Sequence, residues 1–389
     1  MPAIVFAVLV VGLCAALVFD RLWLDMARIE LRTAAEAAAF AAAGRLADDD
    51  RLRSGIDPAA LLDAARAAAV GIAAENRVAG IPVRLVSTPG EDVRFGVVVD
   101  NPDTGEAVFL ETEHDPSTIV VTAQAIRSRG NGVALFFRKL TGVAAGNVIG
   151  RAGVTIDNAV LGVRPLTSVG VPALPLGILE DDAASHREDT WERQIVQRQG
   201  GDRFGFDETS QHVTQAADGI PEITLTVAGS ASQFSGTGAA QTQRSPNCCI
   251  VDIGNGLSEE NVRRQIAEGW TAEDLADLGG QFVMDGSPAP MRGSATMVAD
   301  MLGGLERTIG QPRICVLYRY DGRSYTSGAE QLIATRLIAG RILSIDGEES
   351  GSVQLVFQPT VMTTPTAVLA SAGASVDANP YIYKLHLTH

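Results

Sequence analysis

The residues that most often carry enzyme or metal chemistry are few in this sequence and widely spaced. No H-E-x-x-H motif places two histidines on one helix face, and no C-x-x-C pair offers a zinc ribbon or a thioredoxin-like redox motif. The five histidines are His114, His186, His212, His386 and His389, and the four cysteines are Cys14, Cys248, Cys249 and Cys315. We therefore predict no metal site.

Motifs for nucleophilic catalysis or phosphate binding are also missing. The sequence contains neither a G-x-S-x-G elbow nor a G-x-x-x-x-G-K-[ST] loop. Gly236-Thr237-Gly238 begins like a dinucleotide fingerprint but ends without the last glycine, and no strand-to-helix pattern surrounds it. We predict no catalytic residue, no cofactor and no enzymatic activity.

The neighbouring Cys248 and Cys249 cannot easily bridge to each other, because a vicinal disulfide requires a strained ring. Either thiol could reach Cys315 if the strands that carry them are neighbours. A disulfide between Cys249 and Cys315 is one prediction, which export to an oxidising compartment would favour. Buried free thiols are the alternative.

The balance of charged residues argues against nucleic-acid binding. Lys and Arg number 31 and Asp and Glu number 46 in the 389 residues, which gives a formal net charge of -15. Such a field repels nucleic acid and anionic lipid headgroups. Because 46% of the residues are hydrophobic and only 20% are charged, the chain can bury a folded core.

An uncharged apolar run, Ala3 to Phe19, predicts one transmembrane helix. At 1.5 Å per residue its 17 residues cover about 26 Å, and Leu22 to Leu24 extend it, with Trp23 at the position of an aromatic belt. A cleaved signal peptide is the main alternative, although no basic n-region precedes the run, and a buried core helix is the other. The predicted anchor residues are Ala3, Val5, Phe6, Val8, Leu9, Leu13, Leu17, Phe19 and Trp23.

Strong helix formers continue beyond the span as far as Gly44, so one helix of about 40 residues is expected. Small side chains let another helix approach closely. The alanine face could pack on the rest of its own domain or dock to other protomers, and the sequence leaves both open. The predicted packing residues are Ala34, Ala37, Ala38, Ala39, Ala41 and Ala42.

The run DRLWLDMARIELRTAAEAAAFAAAGRL, Asp20 to Leu46, resembles the N-terminal signature of TadG-like (TadE/TadG) proteins of the tight-adherence (Flp) pilus assembly system. In that family an Asp closes the span and an A-x-x-A-A-A segment follows, here Ala34 and Ala37 to Ala39. From Gly162, GVRPLTSVGVPALPL is similar to the C-terminal portion of longer members. The resemblance implies a non-enzymatic role in pilus assembly, with the bilayer and other pilus assembly proteins or pilin-like helices as partners.

The resemblance also implies a location. It predicts a single-pass protein of the cytoplasmic (inner) membrane whose C-terminal bulk is periplasmic. Arg21, Arg28 and Arg32 follow the span, and the positive-inside rule alone would favour the opposite orientation. A long C-terminal domain can translocate regardless of nearby charge, so we follow the family. The family usually carries basic residues before the span, and a mis-assigned start codon would explain their absence here.

Turn signals and residue periodicity predict an α+β fold in which mixed antiparallel sheet domains follow the long helix. Asp57-Pro58 should start a second helix, Val133 to Leu140 should be a short helical piece, and Ala295 to Ile309 another helix. The predicted segments are an anchor at 1–24, an extension helix at 25–46, an α+β domain at 47–180, a polar loop or linker at 181–246 and a second α+β unit at 247–389.

A membrane-anchored, exported binding module unrelated to pili is the alternative function. In that interpretation the polar segment 181–243 would recognise a surface ligand. The commoner role for such a segment is a connector.

Overall fold

A computed structural model describes residues 2–101, 104–182, 187–208, 210–227, 246–284, 289–294, 299–320, 330–347, 353–371 and 376–388. The chain divides into two units. Unit 1 contains residues 1–47, 56–156 and 385–389, and unit 2 contains residues 48–55 and 157–384. As predicted, the fold is α+β, with a long apolar N-terminal helix followed by mixed antiparallel sheets.

The two long helices of unit 1 begin where the sequence indicates. Helix α1 (Pro2–Leu46) runs without interruption from the apolar span into the alanine-rich extension. Helix α2 (Pro58–Glu75) is capped by Asp57, whose carboxylate accepts a hydrogen bond from the backbone N–H of Ala59 at 3.0 Å. Proline at the first helical position costs no hydrogen bond, because that N–H has no partner within a helix.

The remaining elements of unit 1 are strands and one short helix. In chain order they are β1 (Arg77–Val78), β2 (Ile81–Pro82), β3 (Val93–Asp100), β4 (Ala107–Glu111), β5 (Thr118–Ala125), β6 (Val133–Ala134), α3 (Arg138–Thr141), β7 (Ala145–Gly146) and β8 (Val148–Asp157). Strands β4, β3, β5 and β8 pair antiparallel in that order. The side chains of Phe95, Ile119 and Val154 lie in one row across the sheet, and each is at most 1% exposed.

Helix α1 lies directly on this sheet. It contacts β5, and a Cβ atom added to Gly150 of β8 would stand 2.6 Å from the backbone nitrogen of Arg32. Real Cβ atoms do not approach that closely, so glycine is required where β8 crosses the helix.

Unit 2 is built mainly from strands. In chain order its elements are β9 (Val160–Val163), β10 (Ala173–Leu179), β11 (Gly205–Asp207), β12 (His212–Thr214), β13 (Ile223–Val227), β14 (Cys248–Val251), α4 (Glu259–Glu268), β15 (Phe282–Val283), β16 (Ala289–Ser294), α5 (Ala299–Glu306), β17 (Arg313–Tyr320), β18 (Glu330–Gly347), β19 (Val353–Pro359), β20 (Met362–Thr363), β21 (Ala367–Leu369) and β22 (Ile382–Thr388), the last of which ends in unit 1.

Five of these strands pair in a closed ring. Strand β10 pairs parallel with β17, and antiparallel pairs then join β17 to β18, β18 to β16, β16 to β14 and β14 to β10. The ring forms a small barrel, from which the long strand β18 continues outward to pair with β19 and then β13. The strands of the barrel carry about half of the buried core residues of the unit.

A buried ion pair ties the segment 48–55 into unit 2. Arg341 is 3% exposed and donates to the carboxylate of Asp49, which also accepts from the backbone N–H of Val361 and the hydroxyl of Thr360 at 2.6 Å each. The Arg341 guanidinium lies 4.1 Å from the ring centre of Phe206. The carboxylate of Asp49 thus balances the charge of Arg341 on the Nη2 side, while the buried Nε and Nη1 atoms have no hydrogen-bond partner among the described residues.

The structure departs from the predicted segments at two places. Strand β10 joins the barrel of unit 2, so the division of the chain lies near residue 157 rather than 180. The described part of the predicted linker is folded, since Trp191 is 2% exposed and β13 pairs with β19. Residues 228–245 of that segment, including Gly236 to Gly238, lie outside the described residues.

The other helix predictions are met in part. Helix α5 covers the C-terminal portion of the predicted helix 295–309, of which residues 295–298 are outside the described range. Residues 133–140, predicted as a helical piece, instead form β6 and the start of α3. The helix prediction used only the pattern of neighbouring residues. The pairing of β6 with β7 depends instead on contacts between two separate segments, which such a pattern does not reveal.

Candidate membrane-anchoring site

The N-terminal part of α1 presents apolar side chains to the surroundings on nearly every face. Within the part of the chain that the structure describes, this is the single helix long and apolar enough to cross a membrane, and only 11% of its most apolar window is buried. The alternative prediction, a helix buried in the protein's own core, is therefore wrong. The exposed predicted anchor residues are Ala3, Val5, Phe6, Val8, Leu9, Leu13, Leu17 and Phe19.

The end of the apolar run is marked by a buried acid. Asp20 is 5% exposed, and its Oδ1 accepts hydrogen bonds from the backbone N–H groups of Phe136 and Phe137 at 3.0 and 3.4 Å. These donors lie at the start of the short helix α3, where backbone N–H groups have no partner within the helix. Asp20 thus acts as a cap for a segment more than a hundred residues away in sequence.

The donors belong to a β-hairpin, residues 131–147, which we call the collar hairpin. It consists of β6, α3 and β7, and Val133 pairs with Gly146 at its base. Asn131 accepts from the N–H of Ile126 and donates to the carbonyl of Gln124, while Asn147 accepts from the N–H of Arg127. These side chains fasten the base of the collar hairpin to the end of β5.

Aromatic contacts join the collar hairpin to α1. The ring of Phe136 lies 5.4 Å from that of Phe19 and 5.0 Å from that of Trp23, both in edge-to-face geometry. The ring of Phe137 lies 5.8 Å from Phe19. Trp23 is half-buried, and its indole N–H donates to the carbonyl of Ala134 at 3.2 Å. Trp23, predicted as a membrane-belt residue, therefore also contacts the collar hairpin within unit 1.

The alanine face of the extension is covered within unit 1. Helix α1 packs on α2 and β5, and four of the predicted packing residues have no exposed surface. These residues are Ala34, Ala38, Ala39 and Ala42. Ala37 and Ala41 are half-buried. The sequence left open whether the alanine face packs on its own domain or on other protomers. In the structure it packs on its own domain.

A different stripe of α1 remains exposed beyond the span. Leu22, Met26 and Ile29 lie within one narrow arc of the helix, since they are four and three residues apart. Their side chains are 63%, 51% and 68% exposed. The ion pairs of Arg28 with Asp25 and of Arg32 with Glu36 flank this stripe.

The predicted disulfide between Cys249 and Cys315 is not formed. Cys249 pairs with Gly177, and its Sγ would stand 3.0 Å from a Cβ atom added there, so it lies on the same face of the sheet as Gly177. Cys315 precedes Val316, the partner of Gly177 in β17, and therefore points to the opposite face. Cys248 shares that opposite face with Cys315, and burial raises the pKa of both thiols.

Clusters of histidine, cysteine and acidic side chains that could hold a metal ion are not found among the described residues. His186 and His389 lie outside that range. The apolar run predicted the span and the resemblance implied that Asp20 closes it, whereas the collar hairpin was not predicted. The signal that could have revealed it is the sequence Phe136-Phe137-Arg138-Lys139-Leu140, an apolar and basic cluster that Gly132 and Gly142 bracket.

The chain matches no family model, no curated protein and no solved structure.

Proposed function

We propose that this chain is a non-enzymatic single-span membrane protein that takes part in assembling Flp-type pili, with its bulk outside the cytoplasmic membrane. The observation that carries the proposal is the exposed apolar span of α1, which continues without a break into a helix packed on a folded unit. The resemblance of Asp20 to Leu46 to TadG-like proteins supplies the link to tight-adherence pili.

The exposed stripe of Leu22, Met26 and Ile29 is the surface we assign to a partner helix. The alanine face is occupied by α2 and β5, so a pilin-like helix or another assembly protein would meet α1 on its free side. Two features favour this stripe: it lies just beyond the span, and its apolar side chains are exposed to about the same degree as those inside the span.

The test uses chromosomal variants in the native bacterial host. We expect deletion of the gene to abolish Flp-type pili, and Ile29→Lys to reduce pilus output while membrane levels of the protein stay normal. Leu110→Lys is the matched control, because Leu110 is an exposed apolar residue of the same unit on β4. Normal pili in the deletion strain would disprove the pilus function. Normal pili with Ile29→Lys alone would disprove only the contact surface.

Ala38 is not suitable for this test. Its side chain has no exposed surface, so a leucine or glutamate there would disturb the packing of α1 on its own unit. A loss of pili would then report misfolding rather than a lost partner.

A further inference from the structure

We propose that the tip of the collar hairpin, residues 135–143, is a second membrane contact, which lies in the interfacial layer of the bilayer beside α1 and prefers anionic lipid. The proposal rests on the proposed span, and it adds a surface that no sequence motif assigns. Every residue in the argument belongs to unit 1.

The depth of the tip follows from its contacts with α1. Phe136 and Phe137 pack on Phe19, the last residue of the apolar run. Helix α3 itself contacts α1. Ala16 lies one turn deeper, on the same helix face as Asp20, and is only 2% exposed although its neighbours Leu17 and Val18 are exposed. The tip therefore reaches the level of the span rather than ending above it.

The side chains that the tip exposes are those of an interfacial segment. Phe136 is 59% exposed and Leu140 is 56% exposed, and Phe137 and Val143 are also exposed. Aromatic and aliphatic side chains of this kind insert into the headgroup and acyl boundary. In water the same cluster would be an unfavourable apolar patch next to a second one, the surface of the span itself.

Charge complementarity selects the lipid. Arg138 and Lys139 are exposed at the tip, and residues 131–147 contain no acidic side chain. The chain as a whole carries a formal net charge of -15, so the tip is a local positive exception. Basic side chains next to inserted apolar ones are attracted to anionic headgroups.

The collar hairpin is also held firmly enough to carry this contact. Arg129, just before its base, donates to both carboxylate oxygens of the buried Asp92, at 2.6 and 2.9 Å. Asp20 and Trp23 fix the other end against α1. The tip is thus held against the span by contacts on two sides, and its apolar side chains need no rearrangement to meet lipid.

The experiment measures depth in the full-length protein, reconstituted in vesicles of phosphatidylcholine and phosphatidylglycerol. An NBD fluorophore is attached to Leu140→Cys in a Cys14→Ser background, and to native Cys14 as a reporter of the span. The other three cysteines are buried and stay unlabelled in the folded protein. Leu110→Cys is the control for an exposed apolar residue away from the collar hairpin. Near-ultraviolet circular dichroism checks that each variant is folded.

Lipids brominated near the headgroup should quench the label at residue 140, as expected for insertion about 5–10 Å into the boundary. The label at Cys14 should be quenched by lipids brominated near the chain ends. The label at residue 110 should be quenched by neither kind of brominated lipid. If the label at Cys14 is quenched but the label at residue 140, like that at residue 110, is not, the tip contact is overturned and the anchor remains intact. No quenching at Cys14 would overturn the proposed anchor, and the tip contact with it.

A second variant tests the lipid preference. Replacing both basic residues, Arg138→Gln with Lys139→Gln, should reduce quenching at residue 140 in vesicles that contain phosphatidylglycerol, while quenching in pure phosphatidylcholine stays the same. Equal quenching of the variant and its parent in both vesicles would overturn the preference for anionic lipid.

Discussion

Asp20 is the residue on which the geometry of the anchoring site depends most. Its Oδ1 atom accepts hydrogen bonds from two backbone N–H groups that have no partner within helix α3. The pattern of an acid that ends an apolar run is visible in the sequence. Its partners are not, because they lie in a hairpin whose position depends on the folded unit.

We predict that Asp20→Ala loosens the collar hairpin. The loss of a charged acceptor for two backbone donors should cost about 1–3 kcal/mol of local stability, and amide hydrogen exchange of residues 131–147 should accelerate accordingly. Asp20→Asn is the control, since an amide oxygen can still accept these hydrogen bonds. Unchanged exchange in Asp20→Ala would show that the carboxylate does not hold the collar hairpin.

A second buried acid, Asp274, contributes to the pH dependence of the stability of unit 2. Burial alone would raise the pKa of its carboxyl group. Hydrogen bonds from Arg264, Gln265 and Thr271 outweigh that effect and lower the pKa to about 2. Because the folded-state pKa lies below the ordinary value, the stabilisation is complete above about pH 5 and is lost as the pH falls towards 2.

Asp274→Asn should therefore remove part of the acid sensitivity of the protein. At neutral pH the variant should be less stable by about 2 kcal/mol, and the difference from the parent should shrink as the pH falls from about 5 to 2. Urea unfolding at several pH values, followed by tryptophan fluorescence, measures this difference. Asp277→Asn, an exposed neighbour, should leave the curve unchanged. A constant difference at all pH values would contradict the assignment.

At the scale of elements, β8 approaches the backbone of α1 closely within unit 1. A Cβ atom on Gly150 would stand 2.6 Å from backbone atoms of both Leu31 and Arg32, and a helix backbone cannot move away without disturbing its packing on α2. The sequence contains no sign of this crossing, because a glycine in a strand is typical of several different local structures.

Gly150→Ala is expected to destabilise unit 1 by about 1–3 kcal/mol through this overpacking. Gly44→Ala is the matched control, since no atom lies within 4 Å of the added Cβ atom. In a helix that control should be neutral or stabilising by up to about 1 kcal/mol. Thermal unfolding in detergent compares the two variants, and equal melting temperatures would contradict the close contact.

At the scale of the whole molecule, the sequence predicted what depends on composition and periodicity. Length and apolarity identified the span at Ala3 to Phe19, and Asp57-Pro58 located the start of α2. The pairing of strands that lie far apart in the sequence could not be predicted. The parallel pair of β10 with β17 joins residues far apart in the chain, and the alternating faces of Cys248 and Cys249 could be assigned only once their neighbours in the barrel were known.

The exposed half of α1 and its packed half together account for the proposed role. In the proposed role a membrane covers the exposed side chains of the span, and the extension, which packs on α2 and β5, connects the span to the rest of unit 1. We therefore propose that α1 anchors the chain, and the resemblance to TadG-like proteins adds the claim that the bulk lies outside the cytoplasmic membrane.

Carbonate extraction of membranes, combined with protease treatment of intact spheroplasts, tests this claim most directly. A tag placed after His389 reports the fate of the C-terminal bulk. We predict that the protein stays in the membrane fraction after carbonate treatment and that added protease removes the tag while a cytoplasmic marker survives. Release of the full-length protein by carbonate, or a tag protected until the spheroplasts are lysed, would contradict the account.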